Sequence, residues 1–176
     1  MASDNDIVAR PGAITMYGKP LTLLGAPLAP GDVAPRPALV GNDLSPVVLS
    51  EVTSRPRIIN CVPSIDTPVC DKQTRHFDKL VLELKTPVEL VTVSVDLPFA
   101  QRRYQKEHGL AHQVLSDYRE TRFGLAYGVL IRELRLLARA VFVVGPGDKL
   151  AYAEYVPELA TEPDYGAALE AAANLV

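Results

Sequence analysis

Residues 59–77, INCVPSIDTPVCDKQTRHF, hold both cysteines of the chain and decide its fold. An apolar segment with the composition of a strand ends near Cys61. From Pro68 onward the apolar side chains recur at helical spacing, which predicts a helix over residues 68–85 with one apolar face, formed by Val69, Phe77, Leu80, Val81 and Leu84. The stretch therefore predicts a strand, a short loop and a helix, with Cys61 at the end of the strand and Cys70 in the first turn of the helix.

The composition is that of a globular protein. The chain has 176 residues, of which 48% are hydrophobic, and its formal net charge is −3. A nucleic-acid-binding protein usually carries a basic surface, and no apolar run reaches the roughly 18 residues of a membrane span. The N-terminus is polar and acidic, unlike a signal peptide. We therefore expect a cytoplasmic protein, in which two cysteines are more often reactive, metal-binding or buried than bridged.

The order of the segments predicts an α/β fold. Residues 13–17 and 21–24 flank Gly18-Lys19-Pro20, a pattern typical of a β-hairpin. A short strand and a surface element are expected at 37–41 and 47–52. Further strands are predicted at 57–62, 88–95, 112–116, 138–145 and 149–156, and helices at 68–85, 98–108, 118–128 and 163–173.

Alternating strands and helices indicate helices packed on a central sheet. The closing hairpin and helix are similar to the end of a thioredoxin-like fold, so the central sheet is expected to be mixed. We expect residues 1–176 to form a single domain, in which residues 1–26 are an N-terminal tail and hairpin extension.

The start of the predicted helix favours a reactive cysteine. Thr67 can cap the helix, Pro68 fits its first position, and Cys70 follows in the first turn. Unpaired backbone N–H groups and the positive end of the helix dipole lie there, and both stabilise a thiolate, which is the nucleophilic form of cysteine. A buried, inert cysteine at a helix start fits the spacing equally well.

The histidines and glycines do not indicate a metal or a cofactor. His108 and His112 are four residues apart, but Gly109 interrupts the helix between them and no further ligands complete a site. His76 is six residues from Cys70, on a different helical face, and is predicted to be solvated. The glycines form neither G-x-G-x-x-G nor G-x-x-x-x-G-K, the patterns of nucleotide binding.

The segment PSIDTPVC, residues 63–70, resembles the active-site loop of peroxiredoxins, whose pattern is proline, three residues, threonine, two residues and cysteine. Three further motifs resemble the thiol peroxidase branch of that family. They are SVDLPFAQ-x-R at 94–103, LARAVFVV at 137–144 and TEPDYGAAL at 161–169. The N-terminal hairpin also fits that branch, and the resemblance covers nearly the whole chain.

The resemblance implies a thiol-dependent peroxidase of thioredoxin-like fold without a cofactor. Its substrate would be hydrogen peroxide or an organic hydroperoxide, and its reductant thioredoxin or a small thiol. The family commonly forms homodimers, and neither nucleic acid nor membrane is an expected partner. The sequence does not identify the preferred peroxide, because apolar neighbours such as Val62, Ile65 and Phe99 are equally explained by core packing.

The same resemblance assigns roles to four residues. Cys70 resembles the peroxidatic cysteine, which attacks the peroxide and becomes a sulfenic acid. Thr67 resembles the hydroxyl that bonds the sulfur and the peroxide, and Pro63 the residue that shields the site from water. Arg139 resembles the guanidinium beside the thiolate. A charged residue in so apolar a segment is either exposed at an edge or paired internally, and the resemblance favours the paired arrangement.

The sequence departs from the family at the resolving cysteine. Aligned on DLPFAQRRYQKEHGL, that position is Gln105, which cannot form a disulfide. Cys61 could resolve Cys70 if their Cα atoms come within about 7 Å, although an apolar strand position favours a buried core residue. Alternatively an external thiol reduces Cys70 directly, or Gln105 replaces a natural cysteine.

Two other functions compete with a peroxidase. The missing resolving cysteine is compatible with a peroxide sensor or binding module without efficient turnover. A disulfide oxidoreductase is less well supported, because the chain contains no C-x-x-C motif.

Overall fold

The computed structural model describes residues 7–49 and 55–175. Within these ranges the chain forms ten β-strands and four α-helices. The strands are β1 (Ala9–Met16), β2 (Lys19–Leu24), β3 (Ala38–Val40), β4 (Pro46–Val48), β5 (Arg57–Cys61), β6 (Glu89–Ser94), β7 (Gln113–Ser116), β8 (Leu130–Ile131), β9 (Ala140–Val144) and β10 (Leu150–Tyr155). The helices are α1 (Pro68–Glu83), α2 (Pro98–His108), α3 (Arg122–Ala126) and α4 (Tyr165–Ala173).

The described strands form one large and one small sheet. The large sheet has seven strands in the order β10-β9-β5-β6-β7-β3-β4. The pairs β5–β6 and β6–β7 are parallel and the remaining pairs antiparallel. The small sheet contains the predicted β1–β2 hairpin and the two-residue strand β8, which is too short for a periodic pattern to reveal. The predicted mixed sheet with flanking helices is confirmed.

Strand β5 contributes side chains to both faces of the large sheet. All five of its residues are buried, and side chains alternate between faces along a strand. Ile59 and Cys61 pack on the face covered by the β1–β2 hairpin and α3. Ile58 and Asn60 lie on the opposite face, which α1 and α4 cover. Neighbouring residues of one strand thus belong to different halves of the core.

Helix α1 buries a more polar face than its sequence pattern predicts. The predicted apolar face was Val69, Phe77, Leu80, Val81 and Leu84, and of these only Phe77 is fully buried. The other buried residues of the helix are Cys70, Gln73 and Thr74. A buried glutamine is accommodated because the strand beneath supplies a polar partner, described below.

Several predicted boundaries change in the structure. Helix α2 and its end at Gly109, with φ of 61°, agree with the prediction. Helix α3 is much shorter than predicted, because residues 118–120 form a turn and Thr121 has φ of 51°. Helix α4 begins after Pro163, with Asp164 as the cap accepting a hydrogen bond from the N–H of Ala167 at 2.9 Å.

The expected surface element at 47–52 falls partly outside the described residues. Its first part pairs with β3 as strand β4, whereas residues 50–54 are not described. Among the described helices none is long and apolar enough to cross a membrane.

Candidate active site

Cys70 lies in the first turn of α1, and its side chain is fully buried. Thr67 occupies the cap position with an extended backbone, but its hydroxyl makes no capping bond. It donates instead to the carbonyl oxygen of Ser64 at 3.2 Å. The predicted cap position is therefore correct and the predicted capping bond is wrong. The Thr67 side chain consequently leaves the first N–H groups of α1 available to a negative charge.

Arg139 brings a buried guanidinium to this sulfur. The residue is 2% exposed and immediately precedes β9; the predicted strand at 138–145 included it, whereas the observed strand begins one residue later. Its Nη2 donates to Cys70 Sγ at 3.5 Å. Nε and Nη2 also donate to the carbonyl oxygen of Leu159, at 3.1 and 2.7 Å, and Nη1 donates to Gln73 Oε1. The planar donor set fixes one orientation of the guanidinium, with Nη2 towards the cysteine.

The loop between β5 and α1 is held by the carboxylate of Asp96. Ser64 Oγ donates to Asp96 Oδ1 at 2.8 Å, and the N–H of Ile65 donates to Oδ2 at 2.9 Å. Pro63, in the same loop, is buried. Sequence reasoning did not single out Asp96, although an acidic residue directly after a buried strand was an available signal. Its two hydrogen bonds fix the backbone that leads into the Cys70 turn.

Tyr104 of α2 covers the other side of Cys70. Its side chain is 4% exposed and packs in one cluster with Cys70 and Val62. Its hydroxyl donates to Asp71 Oδ1 at 2.8 Å. Hydrogen bonds from Arg75, and then from Tyr104, lower the pKa of Asp71, so this carboxylate is paired with other groups although it adjoins Cys70 in sequence.

A surface cavity of about 300 Å³ adjoins the Cys70 turn. It is lined by Ile65, Asp66, Thr67, Pro68, Asp71, Tyr104, Glu107 and His108. The lining includes residues on both sides of Cys70 in sequence, whereas the Cys70 side chain itself is fully buried and does not line the cavity.

Cys61 is not part of this cluster. It pairs with Val93 and Ala140 on the two neighbouring strands, and its side chain packs on the face of the sheet opposite to α1. Burial, reinforced by the charge of Asp117, raises the pKa of the Cys61 thiol well above its usual value. Both cysteines are free thiols. The structure thus brings Cys70, Arg139 and the Pro63–Thr67 loop together and leaves Cys61 behind the sheet.

Comparison with known proteins identifies the family of the chain. The Redoxin family model matches residues 29–169, which is most of the chain. The chain belongs to the Redoxin family. The thiol peroxidase of Halalkalibacterium halodurans is 53% identical over 161 residues, covering 91% of this chain and 96% of that protein. The thiol peroxidase of Bacillus subtilis is 45% identical over 164 residues, covering 93% and 98%.

Solved structures extend the comparison to the fold. A peroxiredoxin-like protein from Aquifex aeolicus superposes with a TM-score of 0.86 at 35% identity, covering 97% of this chain and 99% of that one. A thiol peroxidase from Chromobacterium violaceum gives a TM-score of 0.80 at 23% identity, covering 89% and 93%, a likeness that concerns the fold alone. The predicted peroxiredoxin family, thiol peroxidase branch and thioredoxin-like fold are confirmed.

Within this Redoxin chain, Gln105 is part of the hydrogen-bonded framework. Its Nε2 donates to the carbonyl oxygen of His112 at 2.8 Å, and its Oε1 accepts from Asn42 Nδ2 at 2.7 Å. The residue therefore joins α2 to the start of β7 and to the β3–β4 loop. A glutamine is matched to this position because it donates and accepts at the same time.

The three histidines have different environments. His76 is exposed, as predicted, and its ring lies 4.5 Å from that of Tyr165. His108 lies on the cavity, 3.7 Å from Asp71. His112 is 8% exposed and hydrogen-bonded on both ring nitrogens, a role that the metal-like spacing did not suggest. No group of three or more metal-ligating side chains occurs in the described parts of the chain.

Proposed function

We propose that this protein is a thiol peroxidase that reduces hydroperoxides through Cys70 and is returned to its reduced state by an external thiol. The observation that carries the proposal is the position of Cys70 in the first turn of α1, with Arg139 Nη2 3.5 Å from its sulfur. The relatives that bear the name thiol peroxidase, at 45–53% identity, support the same reaction class.

The proposed oxidation is a two-electron transfer. The Cys70 thiolate attacks the terminal oxygen of the hydroperoxide, so that a sulfur–oxygen bond forms and the oxygen–oxygen bond breaks. The electron pair of the broken bond leaves on the other oxygen, which carries the organic group of the substrate. This oxygen takes up a proton and departs as an alcohol, or as water when the substrate is hydrogen peroxide. The sulfur is oxidised to a sulfenic acid.

The neighbouring donors are proposed to stabilise the charge that develops on the leaving oxygen. Arg139 Nη2 already lies at the Cys70 sulfur, and the first N–H groups of α1 belong to the same helical turn, so we propose that both need little reorganisation in the transition state. Thr67, which is exposed, is proposed to turn its hydroxyl from Ser64 to the bound peroxide. Pro63 is proposed to keep water from the sulfur, in keeping with its burial.

An external thiol is proposed to complete the cycle. The first thiol attacks the sulfenic sulfur and releases water, leaving a mixed disulfide. A second thiol then attacks that disulfide and releases the Cys70 thiolate, so two thiols are oxidised for each peroxide. Cys61 faces the other side of the sheet and Gln105 has no thiol, which favours this route over an internal disulfide.

Cys70→Ser tests the proposal. The variant should consume no peroxide above the buffer rate, because a serine hydroxyl is not ionised near neutral pH and has no redox chemistry. Both proteins are assayed with hydrogen peroxide and with an alkyl hydroperoxide, each with a thioredoxin system and with a small thiol. An unchanged rate in Cys70→Ser contradicts the proposal. Rapid oxidation of Cys70 in the wild type without multiple turnover under either reductant would favour a sensor instead.

The organisation of the protein is part of the proposal. We propose one domain over residues 1–176, with residues 1–26 as an extension, since Thr15 exchanges backbone hydrogen bonds with Pro157 and Leu159, next to the Arg139 site. A homodimer is proposed from the family resemblance, and light scattering of the purified protein would measure it. A cytoplasmic location is proposed because two free thiols and a thiol reductant fit a reducing compartment.

A further inference from the structure

A continuous chain of side-chain hydrogen bonds runs beneath α1 and ends at Arg139. We name it the polar seam. Its members, in order, are Arg139, Gln73, Asn60, Thr92, His112 and Asp78. It crosses the sheet from the start of β9 through β5 and β6 to the start of β7, and both of its ends are charged residues.

The polar seam is buried over nearly its whole length. Gln73, Asn60 and Thr92 are 0% exposed. Asn60 Nδ2 lies 3.0 Å from Thr92 Oγ1, and this oxygen lies 2.9 Å from His112 Nε2. His112 Nδ1 lies 2.6 Å from Asp78 Oδ1. Buried polar groups at these positions are costly unless they are paired, and the sheet around them is apolar.

The charged ends fix the direction of each hydrogen bond. Arginine only donates, so the Gln73 oxygen must face Arg139 and the Gln73 amide group must face Asn60. The same reasoning turns the Asn60 oxygen to Gln73 and its amide group to Thr92. Thr92 Oγ1 therefore accepts from Asn60, and its own proton is available for the next residue of the seam.

The other end gives the same direction. Burial acts to raise the pKa of Asp78, but hydrogen bonds from His112 and from the N–H of Ala111 outweigh it and the pKa is lowered. Asp78 is thus an ionised acceptor, and His112 Nδ1–H donates to it. From Arg139 to Thr92 every donor points the same way, an arrangement in which successive bonds strengthen one another.

We propose that the polar seam positions the Arg139 guanidinium at Cys70, with Thr92 and His112 as positioning residues that act through Gln73. Leu159 fixes the guanidinium through Nε and Nη2, whereas Gln73 holds Nη1. Gln73 is itself held by Asn60, whose other amide atom depends on Thr92. Without the Thr92 hydroxyl, Asn60 no longer has a fixed position from which to hold Gln73. Arg139 Nη2 can then move away from the Cys70 sulfur. The inference rests on the proposed role of Cys70.

The test cuts the seam without touching Arg139 or Cys70. Thr92→Val removes the hydroxyl and keeps the shape, and Thr92→Ser keeps the hydroxyl. The rate constant of Cys70 oxidation is measured in a single turnover, by acid quench and intact mass. Because removing a direct donor costs about 10²–10³-fold, an indirect effect of about tenfold is expected for Thr92→Val. Thr92→Ser should stay within about threefold of the wild type.

A matched control separates positioning from general destabilisation. Thr22→Val makes the same change at another buried strand threonine, whose hydroxyl accepts from Arg132 Nη2 at 3.1 Å, and should leave the rate unchanged. The pH midpoint for alkylation of Cys70 by iodoacetamide should rise in Thr92→Val and stay fixed in Thr22→Val. A purely structural role of Thr92 would lower the thermal midpoint without moving this profile.

A double mutant tests the route through Gln73. Gln73→Met already removes the hydrogen bond between the seam and Arg139. Adding Thr92→Val should therefore lower the rate constant of Cys70 oxidation by less than about a further twofold, because the effects of coupled sites are not additive. If Thr92→Val does not fold, His112→Asn cuts the next link and should slow oxidation by at least about threefold. A wild-type rate in the folded variants, or full multiplication in the double mutant, overturns the inference. Cys70→Ser with unchanged activity would instead overturn the proposed function.

Discussion

Replacing Cys61 with alanine tests whether the second cysteine takes part in the reaction. Cys61 is 0% exposed, and its backbone pairs with Val93 on one side and Ala140 on the other. Its side chain points away from α1, so a bond to Cys70 requires strand β5 to leave the sheet or turn over. We expect Cys61→Ala to keep its peroxidase turnover within about twofold of the wild type.

The stability cost of Cys61→Ala follows from its burial. Removing one fully buried heavy atom loses its transfer free energy and leaves a small cavity, which together cost about 1.5 kcal/mol. For a chain of this size that corresponds to a fall of about 3–6 °C in the thermal midpoint. A variant that is less stable and equally active identifies Cys61 as a packing residue.

The mass of the oxidised protein provides the direct assay. Reduced wild type and Cys61→Ala are each treated with one equivalent of hydrogen peroxide and their intact masses recorded. We expect both to gain one oxygen, the mark of a sulfenic acid on Cys70. A loss of two hydrogens in the wild type alone, together with lost turnover in Cys61→Ala, would refute the reasoning. A disulfide-linked pair of chains would refute the direct reduction of Cys70.

Three further perturbations test the surroundings of the site. Arg139→Lys keeps the charge but loses the planar donor set, so Cys70 oxidation in a single turnover should slow about 10²-fold, and a loss below tenfold would contradict this. Burial raises the pKa of Asp117 to about 6. As pH falls, the folded state therefore binds this proton at a higher pH than the unfolded state does. Between about pH 7 and about pH 4 the free energy of unfolding of the wild type should rise by up to about 2 kcal/mol relative to Asp117→Asn. Urea unfolding across this range measures the difference, and a flat or opposite trend contradicts it. Gln105→Ala leaves the His112 carbonyl and Asn42 without their partner, so thermal unfolding should show a loss of about 1–2 kcal/mol. An unchanged midpoint would mean that Gln105 does not stabilise the framework.

The polar seam and Gln105 meet at one residue. Gln105 holds the backbone carbonyl of His112, and the His112 side chain is the fifth member of the seam that leads to Arg139. The position where the family resemblance expects a resolving cysteine is thus hydrogen-bonded to a residue of the seam that we propose positions Arg139. A cycle that depends on an external thiol does not require α2 to unfold, and so this framework can stay intact throughout.

The sequence by itself determined the features that depend on local interactions. The strand of Cys61, the start of α1 at Pro68 and the end of α2 at Gly109 follow from periodicity and from the backbone preferences of proline and glycine. These preferences act within a few residues and need no partner. The place of Cys70 in the first helical turn is therefore readable from the chain alone.

Only the tertiary structure decided which distant groups meet at Cys70. The Leu159 carbonyl that orients Arg139 is a backbone atom, which has no signature in the sequence. Gln73 and Asn60 have no distinguishing sequence pattern, and they become hydrogen-bonded partners only because helix α1 packs on β5. Contacts between segments far apart in the chain depend on strand order and on which face each strand presents, and a local pattern contains neither.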